Sequence, residues 1–198
     1  MSVKIRLACK NDAAQILEIY SPIVRLTHIS FEHDVPDASE IAERIAKTLR
    51  QYPWLVCEID ERIAGYAYAS AFRSREAYQW TTETTVYVRE GYQRRGVARA
   101  LYASLLAILR EQGYRSAVGV IALPNAASIR AHETLGFQEI GVFRNVGFKA
   151  GAWRDTGWWQ LDLSPALERP PAPQPIGDLV KRDNFDELLQ TGLPGIRI

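Results

Sequence analysis

The chain has 198 residues, 47% of them hydrophobic, with 24 Lys and Arg against 23 Asp and Glu for a formal net charge of +1. That length and apolar content suit one domain with a sizeable core, and the near-cancelled charge argues against a dedicated nucleic-acid binder, which carries a basic excess or stripe. Cys9 and Cys57 have no metal-ligand spacing and are too few for a disulfide scaffold, so they read as small buried residues.

The first residues, Met1 to Ala8, carry two charges in an alternating pattern and lack the apolar centre of a signal peptide. No run approaches the ~18 apolar residues a membrane span needs, so the expected location is the cytoplasm. Val3, Ile5 and Leu7 alternate with polar residues as in a half-buried strand. Asn11 and Asp12 stand where a cap is expected, before a helix through Ile16, Leu17 and Tyr20. Residues 25–37, RLTHISFEHDVPD, read as a loop containing His28 and His33, for which no third metal ligand stands out. Ser39 is the expected cap of a second helix carrying Ile41, Ile45 and Leu49, and Pro53 ends that region. WLVCEI and IAGYAYASAF predict two strands around a turn at Asp60–Arg62, and ETTVYV predicts a third.

The strongest helical pattern runs from Val97 to Glu111, with Val97, Leu101, Leu105, Ile108 and Leu109 on one face and Gly113 just past its end. SAVGVIA is a strand, Asn125 opens a helix that stops at Gly136, and FQEIGVFRNVGFKAG and WRDTGWWQLDL close the pattern as paired strands. The fold class is therefore α/β with mixed order. Residues 1–165 form the predicted domain. The proline-rich SPALERPPAPQP should be an extended linker, and GDLVKRDNFDELLQTG could form a short helix. Leu179, Phe185, Leu188 and Leu189 equip this tail to dock on a neighbour, or it could stay loose. No solenoid-period repeat is present.

Gln93-Arg94-Arg95-Gly96-Val97-Ala98 lies between a strand and the strong helix. The first N–H groups of a helix lack internal partners, and the helix dipole favours negative charge there. Gly96 and Ala98 let a ligand approach the backbone, and Arg94, Arg95 and Arg99 add cation density. A diphosphate seat and a solvated basic turn fit these residues equally. The stretch is not the P-loop pattern, and no G-x-G-x-x-G follows the first strand, which excludes the P-loop and makes a dinucleotide Rossmann site a poor fit.

The same six residues match the [QR]-x-x-G-x-[GA] pattern of the GNAT superfamily of N-acetyltransferases. With ETTVYV before them, PNAASIRAHETLGF after them and late strands ending in WWQLDL, the chain resembles the phosphinothricin and methionine sulfoximine acetyltransferase branch over roughly residues 3–165. The resemblance implies a mixed, mostly antiparallel central sheet flanked by helices and splayed at an acetyl-CoA site. It implies that Arg94, Arg95, Gly96, Val97, Ala98 and Arg99 hold the pyrophosphate, and that the backbone of Val86, Tyr87 and Val88 meets the pantetheine arm. The Val88 N–H would polarise the thioester carbonyl. Asn125, also read as an N-cap, and Ser128 would contact the cofactor arm.

The resemblance further implies catalytic roles for Glu83, as general base, and for His132, which stands where many relatives carry a tyrosine. Their order as base stays open. Phe31, Arg73, Arg75 and Tyr78 would join Glu83 around the acceptor, since paired guanidiniums suit a carboxylate or phosphinate. The implied reaction is direct transfer of an acetyl group from acetyl-CoA to the amine of a small amino acid in a ternary complex, without metal or covalent enzyme intermediate. Cys57 has no evident activating partner for a ping-pong route. The branch implies a homodimer. The alternatives are another amine acceptor, with Arg73 and Arg75 arguing against a polyamine, and a non-catalytic acyl-CoA-binding module. Nucleic acid is the remotest partner.

Overall fold

The computed structural model describes residues 2–197. β1 (Val3–Leu7), β2 (Trp54–Ile59), β3 (Arg62–Ala71), β4 (Thr81–Val88), β5 (Ser116–Ala122), β6 (Gln138–Lys149) and β7 (Ala152–Asp162) make one seven-stranded sheet in the order β1-β2-β3-β4-β5-β7-β6. Neighbours are antiparallel except β4 and β5, which run parallel. The mixed, mostly antiparallel sheet expected from the sequence is therefore present.

Period-2 alternation divides the core between the two faces of this sheet. Trp54 and Val56 pack with α1 (Ala13–Leu26) and α2 (Ala38–Thr48), around Ile16, Ile19, Ile41 and Ile45. Leu55, Cys57 and Ile59, pointing the other way along β2, pack with α3 (Val97–Gln112) around Leu101, Leu105 and Leu109. This double coverage is why WLVC reads as an unbroken apolar run rather than an alternating one. The whole predicted stripe of α3 is buried, and each fully buried Leu or Ile contributes roughly 1.5–3 kcal/mol. Gly113 closes the helix in the left-handed conformation, φ 90°, as its place in the sequence predicted.

Several boundaries differ from expectation. α1 continues through Leu26, so the loop begins at Thr27. Asp37, not Ser39, caps α2: its carboxylate accepts the Glu40 N–H at 2.8 Å, and a charged acceptor at a helix N-terminus also meets the dipole. Asp12 makes no side-chain cap for α1. Its carboxylate takes two bonds from Arg6, at 2.8 and 2.9 Å, and one from the Cys9 N–H. The bidentate arginine holds the Asp12 carboxyl below the usual range against the opposing effect of its burial.

The tail is packed rather than loose. It runs back over its own chain as α5 (Ile176–Leu179) and α6 (Phe185–Gln190), burying Ile176, Leu179, Phe185 and Leu189 in the core that contains α3. α3 consequently buries a second face, including Ser104 and Gln112, beyond its apolar stripe. Gln112 donates to the carbonyls of Gln51 and Gln174, at 2.8 and 2.7 Å, tying the linker to the body.

Candidate active site

β4 and β5 pair only from Thr81↔Ser116 to Glu83↔Val118. Beyond Glu83, β4 stays with β3 as far as Gly65↔Val88, while β5 follows β7 as far as Ala122↔Thr156. The sheet therefore opens into a V. The Arg89 N–H donates to Ala64 O at 2.8 Å, which fixes the alternation: the polar backbone groups of Tyr87 and Thr85 face β3, and those of Val88, Val86 and Thr84 face the opening. Such groups need partners: the Tyr102 hydroxyl lies 3.4 Å from Thr84 O, and those of Val86 and Val88 are of the kind that an extended arm carrying amides can pair with.

A cleft of about 410 Å³ occupies the V. It gathers Phe31, Glu83, Val86, Tyr87, Asn125, Ser128 and His132 from three separated stretches of sequence. Arg73, Arg75, Tyr78 and Val88 are not among its lining residues, nor is the arginine turn. Arg73 stands at the rim, its guanidinium 4.8 Å from the Phe72 ring centre and 5.6 Å from that of Trp158. It is close enough to lower the Glu83 pKa electrostatically. Arg75 is exposed at the start of a short 3-10 turn, and Tyr78 is exposed and packs edge-on against Phe72.

Glu83 shares its sheet face with Thr85 and Tyr87 of β4 and with their β3 partners Ser70, Tyr68 and Tyr66, the face that carries α1 and α2. Its carboxylate has no hydrogen-bond or ion-pair partner among the described residues. Burial raises its pKa above the ordinary 4.5, and the charge of Arg73 opposes part of that rise. Tyr87 turns its side chain into an aromatic cluster, 5.3 Å from Tyr20 and 5.5 Å from Tyr66, and its backbone groups pair with β3, so the expectation that its backbone meets the cofactor arm does not hold.

His132 comes from the other face. It sits on α4 (Ala126–Thr134), 4% exposed, with its ring against Gly119 of β5. Nδ1 lies 2.8 Å from Ser128 O, which can only accept, so the ring proton is on Nδ1. Nε2 then accepts from the Tyr102 hydroxyl at 3.0 Å. Burial lowers the His132 pKa below 6.5, with the Ser128 bond working the other way. The imidazole is thus neutral and held at both nitrogens. Asn125 caps α4 through Oδ1, which accepts the Ser128 N–H at 3.1 Å, leaving its amide nitrogen for other contacts.

The arginine turn stands at the N-terminus of α3. Arg94 is left-handed at φ 61°, and Gly96 at φ 84°. Left-handed residues beside a helix start curl successive N–H groups toward a common point, a shape that binds anions. Arg94, Arg95 and Arg99 are exposed and pair with no carboxylate among the described residues. Arg95 lies over the Tyr92 ring at 5.4 Å. These features fit a diphosphate. No group of three or more His, Cys, Asp or Glu side chains is arranged to hold a metal ion among the described residues.

The model of the acetyltransferase (GNAT) domain matches residues 5–158. The chain belongs to this family. It is similar to the phosphinothricin N-acetyltransferase of Streptomyces viridochromogenes, 38% identical over 174 residues covering 88% of this chain and 93% of that protein. It is also 36% identical over 160 residues to the L-methionine sulfoximine/L-methionine sulfone acetyltransferase of Salmonella typhimurium, covering 80% and 94% of the two chains. Among solved structures, a GNAT superfamily phosphinothricin acetyltransferase from Sinorhizobium meliloti in complex with AcCoA superposes with a TM-score of 0.82 at 32% identity, covering 86% of this chain and 94% of that one. This GNAT protein is therefore an acetyltransferase that uses acetyl-CoA.

Sequence reasoning missed Tyr102, the partner of His132, and Tyr68, which stands opposite Thr85 in the β3–β4 register and lines the cleft. The Tyr-Ala-Tyr spacing in β3 carried a signal, since residues two apart share a face. Tyr102 carried none: inside a strong helix it reads as one more core residue.

Proposed function

We propose that this GNAT enzyme acetylates the primary amine of a small amino acid, such as phosphinothricin, methionine sulfoximine or methionine sulfone, by direct transfer in a ternary complex. The observation that carries the reading is the Glu83 carboxylate, half-buried and without a hydrogen-bond or ion-pair partner among the described residues, at the apex of the V where unpaired β4 backbone begins. Acetyl-CoA supplies an activated thioester. Glu83 removes a proton from the acceptor ammonium, since only the free amine is a nucleophile. As the new C–N bond forms and the C–S bond breaks, the Val88 N–H, directed into the opening, stabilises the developing oxyanion. Such a donor is worth roughly 3–4 kcal/mol. CoA leaves as its thiolate, and the remaining surplus amine proton passes to that sulfur through solvent to give the free thiol. The His132 lone pair on Nε2 is taken by the Tyr102 hydroxyl while Nδ1–H is held by Ser128 O, which favours the partner-free Glu83 carboxylate over His132 as the first base.

Arg73, rather than the exposed Arg75, is the better placed partner for the acceptor's acidic group because its charge already reaches Glu83. Phe31 walls the cleft beside it. Two relatives named for phosphinothricin and methionine sulfoximine support the acceptor class. Thiol release from acetyl-CoA, followed with each of the three amino acids, tests the reading. Release at kcat/KM above that for ordinary L-amino acids is expected, and no release with any amine would sink it.

We also propose that the enzyme is a homodimer through the β6–β7 hairpin. β6 is a sheet edge, and Ile140, Phe143, Val146, Phe148 and Trp153 are exposed there. A contiguous apolar edge of this kind marks an association surface. Light scattering on the eluting peak checks it, and a monomer at assay concentration would overturn it.

A further inference from the structure

We propose that the C-terminal segment Gly192–Arg197, outside the matched acetyltransferase domain, is a positioning element for acetyl-CoA. It buttresses the arginine turn in its anion-binding shape. The inference rests on the reading of that turn as the pyrophosphate seat.

The turn is a strained object. Arg94 is a non-glycine residue in the left-handed region, an unfavourable conformation that persists only where surroundings hold it. The helix supplies one such hold, the Ala100 N–H on Gly96 O at 2.9 Å. The tail supplies two more from the opposite side. The Arg197 N–H donates to Arg95 O at 2.8 Å, between the two left-handed residues. The carbonyl of Gly195 lies so close to Gly96 that any Cβ there would collide with it. Gly96 is thus required twice, by its φ of 84° and by the approach of the tail backbone.

The tail is itself seated on α3. Gly192 lies against the carbonyl of Ala100 with no room for a Cβ. The buried Ser104 hydroxyl donates to Leu189 O at 2.7 Å and accepts the Gly192 N–H at 3.1 Å. Upstream, Gln190 donates to Ile5 O at 3.2 Å, and Phe185 and Leu189 are buried in the main core. A rigid chain of contacts therefore runs from the core through Ser104 to the carbonyl of Arg95. Its consequence is preorganisation: the N–H groups that meet the pyrophosphate are aimed before the ligand arrives, so less ordering opposes binding.

Two variants separate this from a merely structural tail. A chain ending at Gly192 removes the contacts to Arg95 and Gly96 while keeping Ile176, Leu179, Phe185 and Leu189. The full-length Ser104→Ala chain loosens the same segment without shortening it. For both, calorimetric titration with acetyl-CoA alone should show a dissociation constant raised about ten-fold, with the KM for acetyl-CoA following and kcat within about two-fold. The control is Arg94→Ala/Arg95→Ala. If the control weakens binding and both tail variants leave it unchanged, the turn is the seat but the buttress is overturned. Tighter binding in the shortened chain would also overturn it, because the tail would then compete with the cofactor. If the control leaves affinity unchanged, the reading of the turn fails, and the proposal with it.

Discussion

Glu83 and His132 line one cleft from opposite faces of the same sheet. A closed sheet would separate them by its full thickness. Here β4 and β5 part directly after the Glu83↔Val118 pair, and the gap admits both side chains. The arrangement brings two different groups to one cleft: from one face a carboxylate with a raised pKa and no hydrogen-bond or ion-pair partner among the described residues, from the other a neutral imidazole fixed by Ser128 and Tyr102.

Replacing Glu83 by Gln removes the base and keeps the shape. We expect kcat to fall by about 10²–10⁴, the range for a positioned general base, with the KM for acetyl-CoA unchanged within about two-fold. Steady-state kinetics with methionine sulfone as acceptor provide the check. A loss under three-fold would remove Glu83 from the chemistry.

The same substitution should stabilise the protein at neutral pH. Burial raises the folded-state pKa of Glu83 above 4.5, so the folded state binds more protons than the unfolded state between the two values. Its stability contribution is fully present below the unfolded pKa and is lost as pH rises through the folded one. Urea unfolding should therefore show Glu83→Gln gaining on the parent as pH goes from 4 to 7. Activity should move the opposite way, rising across that limb as the carboxylate ionises.

His132 has the opposite sign. Its pKa is lowered below 6.5, so its contribution is present above that value and is lost as pH falls through the folded pKa. Removing the hydroxyl in Tyr102→Phe leaves buried Nε2 without its donor. The expected cost is about 1–3 kcal/mol by denaturant titration at pH 7.

Phe31 owes its position to a missing side chain. Its ring packs on Gly147 of β6 so closely that an added Cβ would overlap it. Gly147→Ala should push the ring into the cleft and raise the acceptor KM about ten-fold, with the KM for acetyl-CoA unchanged. Acceptor saturation curves at fixed acetyl-CoA give the answer. Equal effects on both substrates would mean that the hairpin, not the ring, had moved.

Much of the architecture was legible because it is local. The apolar stripe of α3, the closing Gly113 and the Asn125 cap are set by residues within a few positions of one another, so spacing alone reveals them. The Gln93–Ala98 turn was visible for the same reason. Ser39 failed as a cap because Asp37, two residues earlier, offers a charged acceptor, a competition that spacing does not rank. The tail failed because nothing in GDLVKRDNFDELLQTG says which surface Phe185 and Leu189 will cover.

The sequence by itself determined the element order, the anion-suited turn and, through its resemblance to a known family, the reaction class. These depend on short-range periodicity and on a contiguous motif. Only the tertiary structure decided that β4 and β5 part after Glu83, that Tyr102 and His132 meet across 30 residues, and that the chain's end returns to hold Arg95. Those relations arise from strand pairing and burial between distant segments, where many partners satisfy the same local pattern and global packing selects one.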